Sequence, residues 1–282
     1  MARLPAPIGW LTRPFRRGGV TVPVVRLQGV IASDQRSGRL NIASLAPLLK
    51  RAFEMAGPAV ALIVNSPGGS AVQSRLIAKR IRDLAAEHDK QVLVFVEDAA
   101  ASGGYFIATA GDEIIADPSS IVGSIGVIYA GFGFPEALAK LGVERRVHTA
   151  GKNKSTMDPF LPEKAEDIER IKQMESEVHQ VFINWVKSRR GDLLKRPDDE
   201  LFTGEFWSGV RGLELGLVDA LGDIHETLRA RFGDDVRTRV IEPKRGWFQL
   251  PRLGLSSGLS HSVTSDVVAA IEDRALWTRL GL

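Results

Sequence analysis

Cysteine is missing altogether from the 282 residues, which removes disulfides, thiolate nucleophiles and cysteine-type zinc sites in one stroke. Charge of one sign is also missing: the formal net charge is only +3, too little to argue for a nucleic-acid partner, and most basic side chains are expected on solvated faces. No run approaches the roughly 18 continuous apolar residues that a membrane-spanning helix requires. The N-terminus carries Trp10, Phe15, Arg13, Arg16 and Arg17, but Pro5, Pro7, Pro14 and Gly18-Gly19 interrupt it, and the apolar stretch of a signal peptide is lacking. Residues 1–21 therefore read as a flexible basic-aromatic arm that could touch an anionic bilayer surface.

What is present is an ordinary globular balance, 44% hydrophobic and 25% charged, with enough chain to bury a sizeable core. Val22 to Leu27, Ala59 to Val64 and Gln91 to Val96 are β-branched or continuously apolar runs, the pattern of strands covered on both faces. Helices are expected over Ile42–Met55, from a Ser70 cap to about Glu87, from Ser102 to Ala110, and over Pro135–Leu141. Short strands are expected at Glu113–Ala116, within Ile121–Tyr129, and at Glu144–Thr149. Ile168, Ile171, Val178, Val181, Phe182 and Trp185 fall at helical spacing, predicting a long amphipathic helix that ends near Gly191 and packs on the core or on a neighbouring subunit. Leu213–Val218 and Val236–Ile241 supply the last core pieces. Strands alternating with helices make the class α/β with a parallel sheet. The expected organisation is a domain over residues 22–243, then a linker and a C-terminal helix over residues 244–282.

The chemistry concentrates in glycine turns. Asn65-Ser66-Pro67-Gly68-Gly69 and Ala100-Ala101-Ser102-Gly103-Gly104 each follow a buried strand, so both emerge at the carboxyl edge of the sheet, where such sheets bind ligands. Small residues around Ser102 would let a carbonyl approach its hydroxyl. The amides of Gly68 and Gly103 are candidates for an oxyanion hole, with Gly69 lining the path of an extended substrate. Alone, these glycines could simply make tight turns, and Ser102 could simply cap a helix; their conjunction favours chemistry. The base is less obvious. His88, His148, His179, His225 and His261 all lie at helix ends, on expected surface faces or in the linker, and none is compelling. Lys154 follows the strand at 144–149 in a polar turn, and a buried, uncharged lysine can serve as base.

These segments, with Gly123-Ser124-Ile125-Gly126-Val127, Gly151-Lys152-Asn153-Lys154, Phe202-Thr203-Gly204 and Gly216-Leu217-Val218-Asp219, resemble the signal peptide peptidase A family of serine peptidases, which has a Clp-protease/crotonase-like fold. The resemblance runs from about Val22 to Ile241. It implies Ser102 as nucleophile, Lys154 as general base with Lys152 as its near competitor, Ser124 as the residue that orients the lysine amine, and Gly68 and Gly103 as the oxyanion hole. It implies no metal or organic cofactor, and a homo-oligomeric ring. The expected substrates are small, extended, apolar peptides such as signal-peptide remnants or misfolded membrane-associated proteins. Family members often carry an N-terminal membrane anchor; its absence here sets the expectation of a cytoplasmic protein with at most peripheral contact at the inner membrane. The rival readings are a histidine–aspartate Clp-type peptidase, a crotonase-like acyl-CoA enzyme and a catalytically silent oligomeric scaffold.

Overall fold

The computed structural model describes residues 19–34, 36, 38–243, 270–271 and 273–282. In chain order the elements are β1 (Thr21–Gln28), β2 (Val30–Ile31), β3 (Arg39–Leu40), α1 (Ile42–Glu54), β4 (Ala59–Ser66), α2 (Ala71–His88), β5 (Gln91–Ala101), α3 (Gly103–Ala108) and β6 (Glu113–Ala116). They continue with β7 (Ile121–Gly123), α4 (Pro135–Lys140), α5 (Ala165–Arg190), α6 (Asp198–Leu201), β8 (Phe206–Ser208), α7 (Gly209–Leu215), β9 (Ala220–Leu221), α8 (Ile224–Phe232) and β10 (Arg237–Val240). The main sheet runs β10-β1-β4-β5-β6-β9, parallel throughout.

Strand alternation divides the core into two layers. Val25, Leu27, Val60, Leu62, Val64, Val92 and Val94 face α1, α2 and α3 with Leu49, Phe53, Ile77 and Ile81. Val22, Val24, Ala59, Ala61, Leu93 and Phe95 face the other way and are covered by Leu228 of α8. Two of the helix starts have a local cause in the sequence: the Asn41 side chain accepts from the Ser44 amide at 2.9 Å, and Ser70, as expected, accepts from the Gln73 amide.

The strand β5 is the pivot of the fold. Its first half, Leu93–Val96, pairs with β6, while its last residues, Ala99–Ala101, pair with β7. An irregularity in register against β4 between Val64 and Ser66 accompanies the change of partner. The short β7 in turn pairs antiparallel with β8. The side chain of Asn65 holds the fork, donating to Asp98 Oδ2 at 2.6 Å and accepting from the Ala99 amide.

One sequence expectation changes. Glu144–Thr149 forms no strand; its polarity alternates, but no neighbouring strand accepts its backbone bonds, and alternation without a partner does not hold a strand. Leu213–Val218 is a core piece as expected, with Leu215, Leu217 and Val218 buried; it is the end of helix α7 running into a turn through Gly216, whose positive φ ends the helix. The linker expected within 246–262 lies outside the described residues. Of the expected C-terminal helix, residues 273–278 are helical. Among the described residues, no helix is long and apolar enough to cross a membrane.

Candidate active site

Ser102 stands between the end of β5 and the start of α3 with φ +51° and ψ −119°. A side-chain-bearing residue at positive φ is strained by roughly 1–3 kcal/mol and persists only where its surroundings enforce it. The enforcement is visible. The Ser102 amide donates to Gly123 O at 2.8 Å, and the Phe106 amide closes the first turn of α3 on Ser102 O at 2.9 Å. A sharp strand–serine–helix turn of this kind lifts the hydroxyl above the sheet edge.

Two glycines make the close approaches that this turn requires. At Gly68 (φ +104°) a Cβ would lie 2.8 Å from Ser102 Cβ and 3.0 Å from the Gly103 amide nitrogen. At Gly104 a Cβ would meet Ser66 O at 2.6 Å. The β4–α2 and β5–α3 turns are therefore pressed backbone to backbone. The Gly103 amide belongs to the first turn of α3 and has no partner within its own helix. The Gly68 amide donates to Ser66 Oγ at 3.2 Å, a long bond that a better acceptor could replace. Gly68 O takes the Ile31 amide at 2.8 Å, which fixes the turn from behind.

Ser102, Gly103, Gly69 and Ser124 line one cavity of about 900 Å³. Ser124 also has positive φ, +53°, and its amide donates to Glu205 O at 2.7 Å. Apolar walls come from Phe106, Val127, Ile128, Val178, Val181 and Phe182, and the far rim from Thr203, Gly204 and Phe206. Lys154 and Lys152 are exposed and do not line this cavity. They sit on an arm, residues 127–164, in which α4 buries no residue.

The long helix α5 serves the site in a way its periodicity did not reveal. Its C-terminal half clamps α3: Trp185 stacks on Phe106 with centroids 5.4 Å apart, and its indole nitrogen donates to Phe106 O and Thr109 Oγ1. Arg189 donates to Thr109 O and Gly111 O just beyond the C-terminus of α3. Nearly two turns before Trp185, His179 Nε2 donates to Ile125 O at 3.0 Å, pinning the turn that carries Ser124. The same helix face therefore packs the core and lines the cavity, and a single apolar stripe cannot separate those roles. Replacing His179 with alanine is expected to lower kcat several-fold, roughly the worth of one net hydrogen bond, with KM little changed; His179→Gln, which keeps a donor, should recover much of it in steady-state peptide assays.

A serine on a strained strand–helix turn beside a second glycine turn, at the carboxyl edge of a parallel sheet, defines a hydrolase-type site on an α/β scaffold. The comparisons with known proteins narrow this. The family model described as peptidase family S49 matches residues 85–232. A putative signal peptide peptidase SppA of Enterococcus faecium is 33% identical over 225 residues, covering 76% of this chain and 64% of that protein. A protein named Na(+)/H(+) antiporter NhaA in Brucella melitensis is 54% identical over 284 residues, covering 96% of this chain but only 38% of its own length. The chain thus spans between about a third and two thirds of these relatives. Among solved structures, a 1510-N membrane-bound stomatin-specific protease superposes with a TM-score of 0.51 at 17% identity, over 80% of this chain and all of that one. The chain belongs to peptidase family S49, and its fold is the Clp-protease/crotonase-like α/β fold.

Proposed function

We propose that the protein is a serine endopeptidase in which Ser102 is the nucleophile and Lys154 the general base. The observation that carries the reading is the backbone of Ser102: strain at a side-chain-bearing residue is a standing cost, and a silent scaffold or an acyl-CoA enzyme working through oxyanion amides alone would gain nothing from it. In this mechanism the uncharged Lys154 amine takes the Ser102 hydroxyl proton as Oγ attacks the scissile carbonyl. The Gly103 and Gly68 amides hold the oxyanion, the second after releasing Ser66 Oγ. The lysine returns its proton to the leaving amine, then draws one from the water that hydrolyses the acyl-enzyme. Ser124 holds the lysine amine in line.

The arm must bring Lys154 to Ser102, and the arm's surface supports a second copy of the chain as the means. Ile128, Phe132 and Leu141 are 62%, 82% and 76% exposed, an apolar surface that a monomer would leave in water. In a homo-oligomeric ring the arm of one copy covers the neighbour, and the lysine enters a dry pocket in which it sheds its charge. The apolar cavity walls suit extended peptides with small or hydrophobic side chains, such as signal-peptide remnants or misfolded membrane-associated proteins. The antiporter name of the Brucella relative supports a working place beside a membrane.

Cleavage of casein and of a short apolar fluorogenic peptide tests the assignment. Lys154→Ala should lose about 10²–10⁴-fold in kcat, the usual worth of a general base, while Lys152→Ala stays near wild type. Mixing Ser102→Ala with Lys154→Ala should restore part of the activity if neighbouring copies complete each other's sites. An inert wild type, with lipid or detergent present, would remove the peptidase reading of this site.

A further inference from the structure

The cavity above Ser102 is not lined by the peptidase core alone. Leu276, Arg279 and Leu280, from the C-terminal segment, form part of its wall. They arrive on a helical turn, residues 273–278, that continues into a turn closed by the Leu280 amide on Trp277 O at 2.9 Å. Leu276 and Leu280 are four residues apart and so project from one face.

A fork holds the segment in place. Arg39 of β3 donates through Nε to Asp273 Oδ2 at 3.1 Å and through Nη2 to Asp273 Oδ1 at 2.7 Å. The Arg39 side chain is 9% exposed and also pairs with Asp34. A bidentate guanidinium–carboxylate pair at a largely buried arginine fixes direction as well as distance. Arg39 lies beside the strand pair that backs the Gly68 turn, since Ile31 of β2 bonds Gly68 O. The latch and the cavity are therefore referenced to the same piece of backbone.

The conformation of the occupant decides its role. A peptide awaiting cleavage lies extended and offers its backbone to the enzyme. This segment spends its backbone internally, with the Arg279 amide on Ala275 O at 3.1 Å, and presents Leu276, Leu280 and Arg279 to the cavity. It narrows the cavity from one side without taking the extended form of a substrate.

We infer that segment 273–280 is a resident, displaceable plug of the Ser102 cavity, latched by Arg39 and Asp273, which competes with peptide substrate for the apolar walls. This rests on Ser102 being the nucleophile of that cavity. An intramolecular competitor raises the apparent KM by the reciprocal of the fraction of time it leaves the site free, and leaves kcat alone.

The chain's lack of cysteine gives a direct test on the full-length protein. Leu276→Cys and Ile271→Cys are made singly, the second at a 64% exposed position, and their maleimide reaction rates compared. Leu276→Cys should react at least tenfold more slowly than Ile271→Cys, and adding Asp273→Ala should raise its rate about tenfold, the worth of a charge-assisted bond. Asp273→Ala in the otherwise unchanged chain should lower KM for the fluorogenic peptide by a similar factor at constant kcat. Equal reaction rates at the two cysteines, or a slow Leu276→Cys unaffected by Asp273→Ala, would overturn the plug. If no variant cleaves peptide, the nucleophile assignment falls, and the cysteine rates still decide whether the segment occupies the cavity.

Discussion

Ser102→Ala is expected to abolish peptide cleavage, by about 10⁵–10⁶-fold in kcat, while the melting temperature stays within a few degrees of wild type. The size follows from the unit in which a nucleophile works: removing it alone costs nearly as much as removing the whole set, because the base and its orienting residue then have nothing to activate. The same logic predicts that Ser102→Ala and Lys154→Ala combined fall no further than Ser102→Ala alone. Stability behaves differently, since the strain at Ser102 belongs to its backbone and alanine inherits it. Glycine does not. Ser102→Gly should be equally inactive yet more stable by about 1 kcal/mol, the relief at positive φ less the extra chain entropy of glycine. Peptide assays with parallel thermal melts read both halves. A Ser102→Ala protein that still turns over would sink the mechanism, whatever its stability.

Arg190→Ala is expected to cost about 3–5 kcal/mol, a large part of the ordinary stability of a domain. Arg190 is 4% exposed at the C-terminus of α5. Its Nη1 and Nη2 bond Asp219 Oδ2 and Oδ1 at 2.8 and 2.9 Å, and its Nε and Nη2 bond Gly216 O at 3.0 and 2.8 Å. Asp219 Oδ2 also accepts the Ile114 amide at 2.7 Å, so one guanidinium ties α5, the turn after α7 and strand β6. Alanine strands the Asp219 carboxylate, and lysine cannot reproduce the fork. Urea denaturation should show a lower midpoint with an unchanged slope for Arg190→Ala. Arg190→Lys should fall between alanine and wild type. An unfolding free energy within about 0.5 kcal/mol of wild type would show that the network is solvated in solution.

Much of this architecture was legible before any coordinates. The runs at 59–64 and 91–96 are apolar on both faces and could only be inner strands, and the glycines after them had to be turns at one sheet edge. That placed Ser102 beside Gly68, and the cavity gathers Ser102, Gly103, Gly69 and Ser124. The reading failed where pairing rather than composition decides. Strand β5 runs on through Asp98-Ala99-Ala100-Ala101, residues with little strand preference, because β4 and β7 hold it from both sides. The elements β8 and β9 are three and two residues long and carry no period to detect. Val178, Val181 and Phe182 announced a helix face but not the cavity it lines. Lys154 illustrates a different limit. The motif singles it out, but within one chain it lies on an exposed arm outside the cavity, and a local sequence pattern carries no record of the distance between two loops.

The fork in β5 has a consequence for how the molecule can diverge. Because the strand leaves β6 before it reaches Ser102, the sheet acquires a second edge that belongs to the Ser102 turn alone. The arm hung from that edge, between Ser124 and the start of α5, can lengthen, shorten or change its surface without shifting the register of β10, β1, β4 and β6, whereas the C-terminal half of α5 is tied to α3 and β6. The turn at Ser102 and the arm beyond Ser124 are thereby separate parts of the molecule: β4 and β7 fix the first, and neither reaches the second.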